Sequence, residues 1–72
     1  MDNFGQWVKE QRELNGLSLT EAGRRIGVSR QYVWQLEQGD HSPTLRTAER
    51  VCGAFGTVLW RVLQKLDNGG GR

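Results

Sequence analysis

The chain has 72 residues, about a third of them apolar, and a formal net charge of +2. That length allows one domain near the lower limit for a core that folds unaided, and helices suit it because their hydrogen bonds close locally. A single cysteine, Cys52, excludes an internal disulfide and a zinc site of cysteine pairs, and no apolar stretch reaches membrane-spanning length.

The first segment, Met1 to Trp7, has neither a basic start nor an apolar run, so no export signal is expected and the chain is assigned to the cytoplasm. Helix 1 is expected from about Asn3 to Asn15, with Phe4, Trp7, Val8, Gln11 and Leu14 on one face and Asp2 or Asn3 accepting the first free N–H groups. Asn15-Gly16 stops it. Ser18-Leu19-Thr20-Glu21 has the pattern of a capping box and opens helix 2, Leu19 to Ile26, whose inner stripe is Ala22 and Ile26. Gly23 lies inside that helix at a cost of about 1 kcal/mol relative to alanine, which points to another helix backbone passing close. Gly27-Val28-Ser29 is a very short connection and forces a sharp turn. Ser29 caps helix 3, Arg30 to Gln38, with Val33 and Leu36 inward and Val28 packed against Val33.

Gly39 ends helix 3. Ser42-Pro43 is expected to start helix 4, with proline at the first helical position and Leu45, Ala48, Val51, Cys52 and Phe55 inside. After Gly56, Thr57 is expected to open helix 5, which carries Val58, Leu59, Trp60, Val62, Leu63 and Leu66. That helix is apolar around more of its circumference than a surface helix needs. One domain is expected over residues 1–66, with residues 67–72 as a disordered tail.

Helix 3 carries the most informative surface. At about 100 degrees per residue, Val33 and Leu36 define the buried side. Gln31, Trp34, Gln35 and Gln38 then point away from it, and Arg30 sits at the exposed N-terminal end. This face has three amides, an arginine and an indole but no carboxylate, whereas Glu and Lys dominate an ordinary solvated face. A glutamine amide pairs a donor with an acceptor in the geometry of the adenine edge in the DNA major groove, and arginine does the same for guanine. The chemistry is that of a helix that reads base pairs. Arginine also outnumbers lysine eight to two, which suits phosphate recognition but is equally what a GC-rich gene would produce.

Gly16 to Gly39, GLSLTEAGRRIGVSRQYVWQLEQG, resembles the helix-turn-helix of the Cro and phage-repressor (XRE) family. The shared elements are Gly16-Leu17, Ile26-Gly27-Val28-Ser29 at the turn, and Leu36-Glu37 followed by Gly39; the likeness extends more loosely from Phe4 to Leu66. The resemblance implies an all-α, five-helix, lambda-repressor-like DNA-binding domain. It places Arg30, Gln31, Trp34 and Gln35 against base edges, and Ser29, Gln38, Thr44 and Arg46 against the sugar-phosphate backbone. It pairs Arg12 with Glu37, tying helix 1 to helix 3. Two departures stand out: Leu19 occupies a position where the family usually has a DNA-touching glutamine, and Gly23 replaces the usual alanine.

Other residues have two readings. Trp34 either packs against a thymine methyl or sugar, or covers the edge of helix 2. Arg24 and Arg25 either reach phosphates or are simply solvated. His41 is alone in a loop, and Trp7 and Cys52 belong to core stripes. Trp60, Val62, Leu63 and Leu66 are expected to form a dimer interface, the alternative being that helix 5 merely completes the core. The implied function is a transcriptional repressor that binds an inverted-repeat operator in double-stranded DNA as a homodimer. An antitoxin that also binds a toxin protein is the alternative, and a protein-binding adaptor a third. No catalytic, metal or cofactor residues are expected, since the sequence has no Ser-His-Asp set and no phosphate-binding glycine loop.

Overall fold

Four of the five expected helices end where a glycine or asparagine-glycine stop was read from the sequence, and the chain turns at each. The structure, a computed structural model, describes residues 4–40 and 42–70. Over them the order is α1 (Phe4–Leu14), α2 (Leu19–Ile26), α3 (Arg30–Gln38), α4 (Leu45–Ala54) and α5 (Leu59–Gly70), with no strand among the described residues. The expected caps at Asp2 or Asn3, the isolated His41, and Gly71 and Arg72 lie outside the described residues.

The core takes one or two turns from every helix. Phe4, Trp7 and Val8 of α1 meet Ala22 and Ile26 of α2, Val33 and Leu36 of α3, Ala48, Val51 and Cys52 of α4, and Leu59 and Val62 of α5. Burying each of the larger aliphatic or aromatic groups contributes on the order of 1.5–3 kcal/mol. Trp7 anchors the aromatic part, stacking on Phe4 at 5.7 Å between centroids and meeting Phe55 edge-on at 6.0 Å. Burial pushes the Cys52 thiol pKa up, with nearby Glu49 adding to the effect, so this cysteine behaves as a small apolar side chain.

Several boundaries and faces differ from those the sequence suggested. Helix α4 starts at Leu45, not Pro43, because Thr44 is its cap: the threonine hydroxyl accepts the Thr47 N–H at 3.2 Å. Pro43 therefore precedes the cap. Helix α5 starts at Leu59, not Thr57, because Thr57 is committed to closing α4, donating its N–H to the Cys52 carbonyl at 3.0 Å. At its other end α5 runs to Gly70, past the expected end at Leu66, so residues 67–70 are helical rather than tail. Leu14 and Leu45 are exposed, not core. Both are terminal residues of their helices, and the packed stripes Phe4–Trp7–Val8 and Ala48–Val51–Cys52 end before reaching them.

Candidate nucleic-acid interface

The α2–turn–α3 unit is fixed at each joint by local chemistry. At the start of α2 the Ser18 hydroxyl accepts the Glu21 N–H at 3.1 Å, and the Glu21 carboxylate accepts the Ser18 N–H at 2.8 Å. The Ser18 N–H first, and then the Ser18 hydroxyl, hold the Glu21 carboxyl pKa below its ordinary value, with Arg24 and Arg25 adding to the effect. At the end of α2, Gly27 adopts φ 93, a left-handed conformation open to glycine, and the N–H groups of Gly27 and Val28 donate to the Gly23 carbonyl at 2.7 and 2.8 Å. Two residues later the Ser29 hydroxyl accepts the Tyr32 N–H at 3.0 Å and starts α3.

Gly23 makes the tight turn feasible. A Cβ there would lie 2.6 Å from the Val28 carbonyl oxygen and 3.3 Å from the Arg30 nitrogen, so the backbone that approaches α2 is the turn itself and the first residue of α3. From outside the unit, Arg50 of α4 donates to the Ile26 carbonyl at 3.2 Å and to the Gly27 carbonyl at 3.4 Å. A cation on the free carbonyls of a helix C-terminus is favourable both as a hydrogen bond and against the helix dipole. From the other side, Arg12 of α1 grips Glu37 of α3 and donates to the Leu17 carbonyl.

Held in this way, α3 turns Val33 and Leu36 into the core and presents the opposite side outward. Arg30, Gln31 and Gln38 are exposed, Gln35 is half-buried, and Trp34 is 46 % exposed. None of these five side chains hydrogen-bonds to another described residue, so their donors and acceptors remain available. Arg30, Gln31 and Trp34 line an open concavity together with Leu19, the first residue of α2. A free guanidinium and free amide forks on a short helix projecting after a tight turn have the form of a base-reading surface.

The sequence pattern of the helix-turn-helix family matches residues 8–60, most of the chain and all of this unit. The chain belongs to the helix-turn-helix family. It is 35 % identical over 65 residues to an uncharacterized helix-turn-helix transcriptional regulator of Methanothermobacter thermautotrophicus, covering 90 % of this chain and 94 % of that one. It is 44 % identical over 48 residues to the uncharacterized regulator YgzD of Bacillus subtilis, covering 67 % and 73 %. Among solved structures, the clp gene regulator ClgR from Corynebacterium glutamicum superposes with a TM-score of 0.82 at 25 % identity, over 94 % of this chain and 72 % of that one.

In helix-turn-helix terms, α2 is the supporting helix and α3 the recognition helix. The residues expected at base edges, Arg30, Gln31, Trp34 and Gln35, come together on α3. Those expected at phosphates are exposed at element starts and ends: Ser29 caps α3, Gln38 ends it, Thr44 caps α4, and Arg46 is in the first turn of α4. The Thr44 hydroxyl donates to that of Thr47 at 3.1 Å, so the groups free to meet an anion there are backbone N–H groups and Arg46.

The expected dimer surface is only partly present. Val62 is 3 % exposed and belongs to the core of the chain, so it is withdrawn from that surface. Leu66 is half-buried against the core, while Trp60, 62 % exposed, and Leu63 face outward beside exposed Val58. Arg61 lies over the Trp60 ring, 5.6 Å from its centroid. Sequence reasoning missed Arg50 and Gly5 altogether. A Cβ on Gly5 would overlap the Leu36 carbonyl oxygen, which is how α1 comes down on the end of the recognition helix. A glycine in the first turn of a helix was the available signal for Gly5; nothing local marks Arg50. Among the described residues no helix is long and apolar enough to cross a membrane, and no cluster of metal-ligating side chains occurs.

Proposed function

We propose that this helix-turn-helix transcriptional regulator is a repressor that binds an inverted-repeat operator as a homodimer. The observation that carries the reading is the outward side of α3, where Arg30, Gln31 and Gln35 keep their hydrogen-bonding groups unspent while Arg12 holds α3 through Glu37 and Arg50 holds the end of α2 and the turn before α3. In the major groove Arg30 suits guanine, and the glutamine amides suit adenine. Phosphates would be met by the N-terminus of α4, Arg46, Gln38 and Ser29, giving an affinity that falls steeply with salt.

Dimerisation would use the outward side of α5, now reduced to Trp60, Leu63 and Val58 with Leu66 at its edge. Two recognition helices would then enter successive major grooves about 34 Å apart, and occupancy of a promoter would exclude polymerase. Selection of bound duplexes from a random pool tests this. The expected product is an inverted repeat with half-sites about one helical turn apart, bound by two chains. Asymmetric winners bound by one chain would overturn the dimeric reading, and no enrichment would overturn the DNA-reading function.

A further inference from the structure

Leu19 and Trp34 are the apolar walls of a concavity whose other walls are Arg30 and Gln31. Leu19 opens α2 and is half-buried against the core, while Trp34 stands on α3 nearly half exposed. They are brought together from two helices, and Arg30 and Gln31 complete the walls of the concavity they share. At the start of α2, Leu19 sets an aliphatic group on the same concavity as the indole. In this small chain Trp7 is fully used in the core, whereas the Trp34 ring is left facing outward, next to free donors.

Almost every group on a base edge in the major groove is a hydrogen-bond donor or acceptor; the exception is the C5-methyl group of thymine. The same methyl occurs on 5-methylcytosine. We propose that the Leu19–Trp34 concavity is a binding site for the C5-methyl group of a pyrimidine, with Arg30 and Gln31 reading the polar edges beside it. The inference rests on the DNA-reading function proposed above and names what one part of that surface recognises. Desolvation of the methyl against the leucine and indole supplies the preference, and the polar pair fixes which step of the groove is presented.

The test uses the duplex recovered from the random pool and replaces each thymine singly with deoxyuridine, which removes the methyl and leaves the hydrogen-bonding edge intact. One thymine per half-site is expected to lose about fourfold in affinity, the worth of one buried methyl group. Placing cytosine and then 5-methylcytosine at that position distinguishes the sources: recovery by 5-methylcytosine shows that the methyl is read on either base, and failure to recover shows a thymine-only site. In Trp34→Ala, and separately in Leu19→Gln, affinity for the thymine-containing site should fall about fourfold to that of the deoxyuridine site, so that the thymine-to-deoxyuridine difference disappears. Trp34 is largely outside the core, so its variant remains informative if Leu19→Gln is unstable. Tight binding with no methyl-sensitive position, or sensitivity unchanged in Trp34→Ala, overturns the inference and leaves the DNA-reading function standing. A pool that yields no enriched duplex overturns both.

Discussion

Arg12 holds Glu37 with two hydrogen bonds, Nε to Oε2 at 2.7 Å and Nη2 to Oε1 at 3.1 Å, across 25 residues of sequence. The fork matches the carboxylate geometry, and the Nη1 group donates to the Leu17 carbonyl at 3.0 Å, so one guanidinium joins α1, the α1–α2 loop and α3. The bond to Glu37 raises the Arg12 pKa against the opposing effect of burial, so the arginine stays charged. The partners are unequal in exposure: the Glu37 side chain is 3 % exposed and that of Arg12 16 %. Removing Arg12 strands a buried carboxylate, whereas removing Glu37 leaves a cation that still has Leu17 and some water. Arg12→Met should therefore cost more stability than Glu37→Gln, about 3 kcal/mol against about half of that. Urea denaturation of both variants checks the order, and a milder Arg12→Met would contradict it.

The two close backbone approaches predict opposite behaviour from helix propensity. Alanine is favoured over glycine inside a helix by about 1 kcal/mol. At Gly23, however, a Cβ meets the Val28 carbonyl at 2.6 Å, and at Gly5 it would overlap that of Leu36, both backbone atoms that cannot swing away. Gly23→Ala and Gly5→Ala should each destabilise by about 1–3 kcal/mol, the range for overpacking. Gly53, with open space at the corresponding position, is the control: Gly53→Ala should stabilise. A rise in melting temperature for Gly5→Ala would show that α1 does not rest on α3 as described.

The capping box at Ser18 gives a pH dependence with a defined sign. Glu21 has a folded pKa lowered by its bonds to Ser18, so its contribution is present above the unfolded glutamate value, about 4.3, and is lost as pH falls through the depressed folded value. Glu21→Gln keeps a capping side chain but cannot titrate. The melting-temperature difference between the wild type and Glu21→Gln should be largest near neutral pH and shrink toward pH 3. A difference independent of pH would contradict the cap.

Neighbours on α5 should respond differently. Trp60 is mostly exposed and Val62 buried. Trp60→Ser should lower the apparent mass in sedimentation from dimer to monomer with helix content retained, whereas Val62→Ser should unfold the chain. Retention of the dimer in Trp60→Ser would remove α5 from the proposed interface.

Residues with local roles were legible in the sequence, and residues whose role is set by distant neighbours were not. Ser18-x-x-Glu21, Gly27 and Ser29 mark α2 and α3 to the residue because caps and left-handed stops act within one turn. The outward set Gln31, Trp34 and Gln38 followed from the inward pair Val33 and Leu36. By contrast, Ser42 and Thr44 are both competent caps, and periodicity cannot choose between them. In α5 the apolar residues go nearly all round, so the pattern could not tell Val62, turned inward, from Trp60 and Leu63, turned outward. Leu14 and Leu45 keep the helical period but lie past the region that neighbouring helices cover. Arg50 reaches the turn from 23 and 24 residues away, a contact that only the packing of α4 creates.

In the proposed complex the amides of α3 read bases, and charge at the start of α4 only positions the protein. Affinities of Gln31→Ala, Gln35→Ala and Arg46→Ala, each measured on the selected operator and on random DNA across a salt series, test this most directly. The glutamine variants should lose about 1–3 kcal/mol on the operator and little on random DNA, while Arg46→Ala should weaken both alike and flatten the salt dependence. Equal losses on both kinds of DNA for Gln31→Ala and Gln35→Ala would contradict the account.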